Sequence, residues 1–258
     1  MVLSDLGMAA LARTAGVGPY FTIGPLTSRA EWQPLSTLVS DPVILSERAG
    51  RTRSALARSA GIPAEQVEVR VAASIMFLGL ASQLVSPQLG AVVIAGVLPQ
   101  LAIDDLWWRP VEAGPWPLAA RPAGATAIGQ LATSRQFDDA AARLSEQVAG
   151  LTAPLAASFG TVFRLSEQVL RGNVASALAG AAAVLASAFP ERAGLAAQLT
   201  GRLIGLSPLR GTGNLVRPGP GQPGTCFRRR SCCLYYRIPG GRICGDCVLT
   251  HPVAGERR

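Results

Sequence analysis

Apolar residues return at helical spacing along most of the chain. From Ala64 onward Val67, Val71, Ile75, Leu78 and Leu80 recur every two to four positions as far as Ser86-Pro87, and a second apolar run occupies residues 88–98. One face of a helix repeats every 3.6 residues, so the pattern predicts two core helices separated at Pro87. Residues 46–61 predict an earlier, arginine-bearing helix stopped by Gly61-Ile62-Pro63. The first 60 residues otherwise mix short helical signals with turns at Gly16-Val17-Gly18-Pro19 and Gly24-Pro25.

Helical spacing resumes at about Ser134 with Leu144, Val148, Leu151 and Leu155, and continues past Pro154 through Val162, Leu165 and Val169. Arg143-Leu144-Ser145-Glu146-Gln147-Val148 is repeated as Arg164-Leu165-Ser166-Glu167-Gln168-Val169. Two copies do not make a solenoid; the echo reads as two helices using one amphipathic solution. Gly172-Asn173 is expected to separate this region from residues 174–180, whose small side chains allow close approach of another backbone. A last helix is predicted over about 192–206. Between Asp105 and Leu118 the periodicity disappears. Trp107-Trp108-Arg109-Pro110-Val111, Glu112-Ala113-Gly114 and Pro115-Trp116-Pro117 predict two short extended segments and a turn, a small β-hairpin. Its tryptophans read as a cover over one end of the helical core, with a ligand wall as the alternative.

The predicted fold is therefore mainly α: a helical domain with a small β-hairpin over residues 1–212, a Gly/Pro-rich linker at 213–224, and a short cysteine-rich module at 225–258. With 49% hydrophobic and 16% charged residues the chain is composed to fold compactly. The net charge of +8 comes from 24 arginines with no lysine, scattered except for Arg228-Arg229-Arg230. Without a stripe of basic and aromatic residues this predicts no nucleic-acid partner. Residues 71–103 and 174–189 are the most apolar, but polar residues and prolines interrupt the first and the second is short against the roughly 20 residues of a span. Both are expected as buried core helices; no span is predicted, and peripheral membrane association stays open. The opening Met1-Val2-Leu3-Ser4-Asp5 lacks the pattern of a secretory signal, so a cytoplasmic location is expected, where clustered cysteines serve as metal or redox groups.

All five cysteines lie near the C-terminal end: Cys226, the adjacent pair Cys232-Cys233, then Cys244-Gly245-Asp246-Cys247. Four thiolates are the ligand set of a 2Fe-2S cluster. Cys244 and Cys247 are spaced to converge on one iron, leaving Cys232 and Cys233 for the other. Neighbouring side chains of an extended strand point to opposite faces, so a vicinal pair on one metal demands a bent backbone. Zinc sites usually space their pairs by two to four residues; zinc stays open on ligand type, and a vicinal thiol redox pair is the third reading. His251, the lone histidine, excludes the two-histidine Rieske arrangement and reads as a tail residue, while Cys226 reads as a spare thiol. Tyr235-Tyr236 and Ile238 predict a strand, and Pro239-Gly240-Gly241 a turn that folds Cys244 back towards Cys232. Phe227, Leu234, Ile243 and Val248 are candidates to shield the site. The arginine triplet either raises the potential of a cluster or forms an exposed turn. No G-x-G-x-x-G fingerprint occurs in a strand-to-helix context, so no NAD(P)H or flavin site is expected.

The run Arg229-Arg230-Ser231-Cys232-Cys233-Leu234-Tyr235-Tyr236-Arg237-Ile238-Pro239-Gly240-Gly241, followed by Cys244-Gly245-Asp246-Cys247, resembles the bacterial ferric-siderophore reductases of the FhuF type. Their signature is two adjacent cysteines, ten residues, then two cysteines separated by two. The resemblance extends upstream through Leu84-Val85-Ser86-Pro87 and the apolar helix after it, residues 107–118 and Gly172-Asn173-Val174-Ala175-Ser176-Ala177-Leu178, and so covers roughly residues 65–250. It implies a cytoplasmic reductase in which Cys232, Cys233, Cys244 and Cys247 hold a 2Fe-2S cluster. That cluster passes one electron to Fe(III) in a hydroxamate or catecholate siderophore, and a separate donor protein supplies the electron. The siderophore site is not identified; Trp107, Trp108, Arg109 and Asn173 are candidates. The competing expectation is a non-catalytic sensing or interaction protein holding zinc or a cluster.

Overall fold

The computed structural model describes residues 3–112, 114–216, 226–241 and 243–249. Among them lie seven helices: α1 (Leu3–Ala15), α2 (Thr37–Ser40), α3 (Pro42–Ala60), α4 (Val69–Ala95), α5 (Ser134–Phe163), α6 (Glu167–Ala188) and α7 (Ala193–Gly205). Eight short strands accompany them: β1 (Gly24–Pro25), β2 (Gln33–Pro34), β3 (Val97–Gln100), β4 (Leu106–Trp108), β5 (Leu118–Ala120), β6 (Gly124–Ala127), β7 (Gly213–Val216) and β8 (Cys226–Arg229). The protein is mainly α, as its periodicity predicts.

The centre is α4, which packs against α1, α3, α5 and, most extensively, α6. It is apolar almost all round, the pattern of a helix enclosed by others. The two helices predicted on either side of Pro87 are one: Pro87 lies inside α4 and is buried. A proline removes one main-chain bond and crowds the carbonyl four residues back, a local loss outweighed here because Leu84, Val85, Leu89, Val92 and Val93 on both sides are buried in one core. Gly96, with φ 65, ends the helix by donating its N–H to Ala91 and Val92. Among the described residues α4 and α6 are long and apolar enough to cross a membrane, and in this fold both are core helices with more than half of their most apolar window buried.

One further break predicted from the sequence does not occur. Gly172-Asn173 lies inside α6, because the space beside Gly172 is taken by Ser231 and the Asn173 side chain bonds other elements rather than its own backbone. The repeated hexapeptide adopts two structures. Its first copy is in the middle of α5, whereas the second straddles a corner: Arg164 is left-handed (φ 53) and Ser166 caps α6 by accepting from the Val169 N–H. Helix α3 begins at Pro42, four residues before the expected start, with Asp41 accepting from Val43 and Ile44 as N-cap.

The predicted hairpin is β4–β5, antiparallel with Trp107 opposite Ala119, but it is the middle of a four-stranded sheet, β1-β5-β4-β2. Trp108 and Trp116 stack with ring centroids 4.9 Å apart and close one end of the core. The segment expected as linker also begins differently. Residues 213–216 are β7, paired with β8 so that Gly213 faces Arg229 and Val216 faces Cys226; residues 217–224 lie outside the described residues. Glycine is required there: a Cβ on Gly213 would sit 2.2 Å from the Arg228 carbonyl oxygen and 2.5 Å from the Phe227 ring. Phe227, on the inner face of β8, is buried against Ala175 of α6 and Ile204 of α7, which docks the cysteine segment on the helices.

Candidate metal centre

Strand β8 alternates outward and inward, so Cys226 and Arg228 are exposed while Phe227 and Arg229 are buried. The chain then turns at Cys232-Cys233. The bend demanded by the vicinal pair falls at Leu234, a non-glycine residue at φ 71. It aims the next main-chain donors back at sulfur: the Leu234 N–H donates to Cys232 Sγ at 3.3 Å and the Tyr235 N–H to Cys233. Residues Tyr235–Arg237 form a turn of 3-10 helix in place of the expected strand, because the left-handed Leu234 leaves the chain coiled rather than extended. The Pro239-Gly240-Gly241 turn forms, with Gly240 at φ 70 and Gly241 N–H donating to Ile238. Beyond it Cys244 and Cys247 flank a second turn, closed by Cys247 N–H to the Cys244 carbonyl at 3.1 Å and followed by Leu249 N–H to Cys247 Sγ at 3.4 Å.

The two loops meet sulfur to sulfur. Cys233 Sγ and Cys244 Sγ are 3.4 Å apart, a contact that runs across the two pairs rather than within either. Cys232 interacts electrostatically with both Cys233 and Cys247. Cys233 and Cys247 are buried, Cys232 and Cys244 half-buried, and all five cysteines are free thiols. The Cys233 thiol is pushed down to about 6, first because the Cys244 thiol donates a hydrogen bond to it; Cys244 is correspondingly pushed up and keeps the proton. Burial raises Cys232.

Behind the sulfurs a buried polar wedge ties the cysteine loops to the central helices. Ser74 Oγ on α4 donates to the Cys233 carbonyl at 2.9 Å. Asn173 on α6, fully buried, donates to the Ser74 carbonyl at 3.0 Å and to its hydroxyl at 3.1 Å. Its oxygen accepts from Arg229, whose Nε lies 3.9 Å from the Asp246 carboxylate; Asp246 in turn accepts from Ser176 of α6. The Arg229 side chain is 1% exposed. Its Nε and Nη1 atoms and the Ser231 hydroxyl have no hydrogen-bond partner, although buried donors are normally satisfied. Arg229 also acts electrostatically on Cys232 and Cys233. Among the described residues no three His, Cys, Asp or Glu side chains are gathered closely enough to hold a metal ion, and only Cys233 and Cys244 touch; the main-chain N–H groups aimed at sulfur and the unsatisfied buried guanidinium beside them are nonetheless the surroundings that an anionic, sulfur-rich cluster calls for.

Cysteine-only donors are of the kind an iron–sulfur protein uses. Residues 229–249 match the family model of the FhuF 2Fe-2S C-terminal domain, and the 2Fe-2S cluster is the cofactor that goes with it. No curated protein matches the chain.

The sequence-predicted residues divide clearly. Cys233 and Cys244 are in sulfur contact and Cys232 is near enough to Cys233 and Cys247 to interact electrostatically, while Cys226 is exposed on β8 and His251 lies outside the described residues. Phe227 is buried and Leu234 and Val248 half-buried, whereas Ile243 is exposed. Trp107 and Trp108 are buried sheet residues, and Arg109 is an exposed partner of Glu31 at 3.0 Å. Asn173 belongs to the wedge beneath the cysteine loops. Sequence reasoning gave no role to Ser74 and Ser176, although each is a hydroxyl inside a strongly apolar helix and such positions invite a specific partner. It also left the arginine triplet undivided, whereas only Arg229 is buried.

Proposed function

We propose that the protein is an iron–sulfur oxidoreductase that passes one electron to Fe(III) held by a siderophore, of hydroxamate or catecholate type, and so releases Fe(II) in the cytoplasm. The observation that carries this reading is the four-cysteine module matching the FhuF 2Fe-2S C-terminal domain, with Cys232 and Cys244 reaching partial exposure. When bound, the cluster supplies a one-electron couple; Cys232, Cys233, Cys244 and Cys247 would hold it. The chain's own residues set the conditions. Buried Arg229 favours the more negative, reduced charge state, the wedge through Asn173 fixes the loops, and the half-exposed sulfurs offer a surface to a chelate too bulky to enter the protein. Hard oxygen donors hold Fe(III) far more tightly than Fe(II), so one electron suffices to loosen the chelate. A separate protein or reductant supplies that electron.

The test is anaerobic mixing of the dithionite-reduced, desalted protein with ferric siderophores in the presence of a ferrous chelator. Cluster reoxidation matched by ferrous chelate formation is expected. A reduced cluster that persists unchanged beside every ferric chelate tried, or a protein holding zinc without sulfide, would replace this reading with a non-catalytic metal-binding role.

A further inference from the structure

The cysteine module has an inner and an outer face. Inward, Phe227 packs on Ala175 and Ile204, Ile238 packs on Ala57, Val67 and Val71, and Arg229 and the Cys233 carbonyl reach Asn173 and Ser74. Outward stand Arg228, Arg230, Tyr236, Ile243 and Leu249. The last three are 47%, 51% and 54% exposed, and they are three of the eight large hydrophobic side chains exposed among the described residues. Single exposed apolar residues are ordinary, but their concentration in one short segment marks an interaction surface.

Each outward apolar residue is placed beside a cysteine. Ile243 precedes Cys244, the Leu249 N–H donates to Cys247 Sγ at 3.4 Å, and Tyr236 follows Tyr235, whose N–H donates to Cys233. Arg228 and Arg230 are tied to the same loops through Arg229, whose N–H donates to the Asp246 carbonyl at 3.2 Å. Residues 226–249 carry five arginines against one aspartate and no glutamate. Arg229 faces that aspartate and Arg237 pairs with Glu68 at 2.9 Å, whereas neither Arg228 nor Arg230 takes part in an ion pair among the described residues. The outer face thus combines exposed apolar residues with uncompensated positive charge, the make-up of a protein interface. The apolar residues come from separate turns, not from a helix with one continuous apolar stripe, the form that lies in a membrane surface. Positive charge steers a negatively charged partner from a distance, and the partner the reaction still lacks is its electron donor.

We propose that this outer face docks a small acidic one-electron carrier protein beside the half-buried Cys232 and Cys244. Arg228 and Arg230 draw the carrier in, and Tyr236, Ile243 and Leu249 form the contact. The carrier is oxidised by one electron as the cluster is reduced by one, and no bond is made or broken. This rests on the reading given under Proposed function and supplies the donor that it leaves open.

The probe is flavodoxin hydroquinone, an acidic one-electron donor whose semiquinone product absorbs apart from the cluster, mixed anaerobically with the oxidised, cluster-loaded protein in a stopped-flow spectrometer. Each rate is divided by the rate with photoreduced deazariboflavin, a small uncharged reductant that needs no docking, which corrects for any change in the cluster itself. The ratio is expected to fall at least about tenfold between about 0.02 M and about 0.5 M salt. An Arg228→Gln/Arg230→Gln protein should show a ratio at least about fivefold smaller at low salt, with a flatter salt dependence. Tyr236→Ser with Leu249→Ser should lower the ratio about threefold at every salt concentration. A ratio that neither salt nor the arginine change alters overturns the docking face. Arginine-dependent binding to phosphatidylglycerol vesicles together with an unaltered ratio also overturns it and assigns the face to a membrane. A salt- and arginine-dependent ratio in a protein whose reduced cluster no ferric siderophore reoxidises upholds the donor face and overturns the reductase reading. Reoxidation by ferric siderophore with an indifferent ratio does the reverse.

Discussion

Asn173→Ala removes the keystone between the helices and the cysteine loops. Three interactions disappear together: two donations to Ser74 and the acceptance from Arg229. The neutral bonds are worth about 1 kcal/mol each, and stranding a buried charged donor costs about 1.5–3 kcal/mol more. Arg229 would keep only Asp246 at 3.9 Å. The expected loss is about 4 kcal/mol, in the range reserved for broken buried networks, and it should fall on the docking of the module, because the α4–α6 contact is otherwise made by apolar side chains. Two measurements separate the effects: urea unfolding followed by far-ultraviolet dichroism, and cluster lifetime followed by visible absorbance under a chelator challenge. The cluster should be lost in urea well before the helices melt. Asn173→Asp keeps an acceptor for Arg229 but loses both donors to Ser74, so it should recover part of the loss. In a double-mutant cycle, Ser74→Ala should cost little on top of Asn173→Ala. An Asn173→Ala protein within about 0.5 kcal/mol of the parent, with unchanged cluster lifetime, would refute the wedge.

Gly213→Ala is expected to prevent stable cluster incorporation, because its Cβ meets the Arg228 carbonyl at 2.2 Å and a backbone atom cannot rotate aside; iron and sulfide content of the purified variant checks this, and stoichiometric cluster would contradict it. Arg229→Gln should make the cluster potential more negative by tens of millivolts in a spectroelectrochemical titration, while Arg230→Gln, at an exposed position, should move it far less. In the metal-free protein the Cys233 thiol ionises at about 6 against an ordinary value of 9.0. A depressed folded-state value adds stability that is complete above the unfolded value and is lost as pH falls through about 6. Melting temperature should therefore rise between about pH 6 and 9, whereas the thiolate absorbance of the folded protein should appear around pH 6, with Cys244→Ala flattening the first and moving the second to higher pH; both persisting unaltered in that variant would exclude the Cys233–Cys244 pair as their source.

The helices were legible wherever a face repeats, including across Pro154, and two of the errors share one cause. Pro87 and Gly172 are local breakers, and local preference is a weak prior when both flanks of the breaker are buried in the same core. At the second hexapeptide copy the sequence offered the same residues as the first, and the outcome turned on Arg164 adopting φ 53 where the chain must reverse. Strands β1 and β2 have two residues each, too few for any alternation to register, and they exist because β4 and β5 offer them edges.

At the candidate metal centre the four candidate cysteines stand out in the sequence by their spacing, but the neighbours packed around them do not. Strand β8 explains why. Once Phe227 points inward to Ala175 and Ile204, the two-residue period places Arg229 inward as well and leaves Arg228 and Arg230 in solvent. Burying that guanidinium requires polar company from the helices, and α4 and α6 provide it at Ser74, Asn173 and Ser176, positions that look like blemishes in apolar helices until the strand is docked. The same docking requires a residue without a side chain at Gly172, where an added Cβ would lie 2.2 Å from Ser231 Oγ. Serines, asparagine and glycine in the apolar helices are thus the counterpart of one arginine in the cysteine segment.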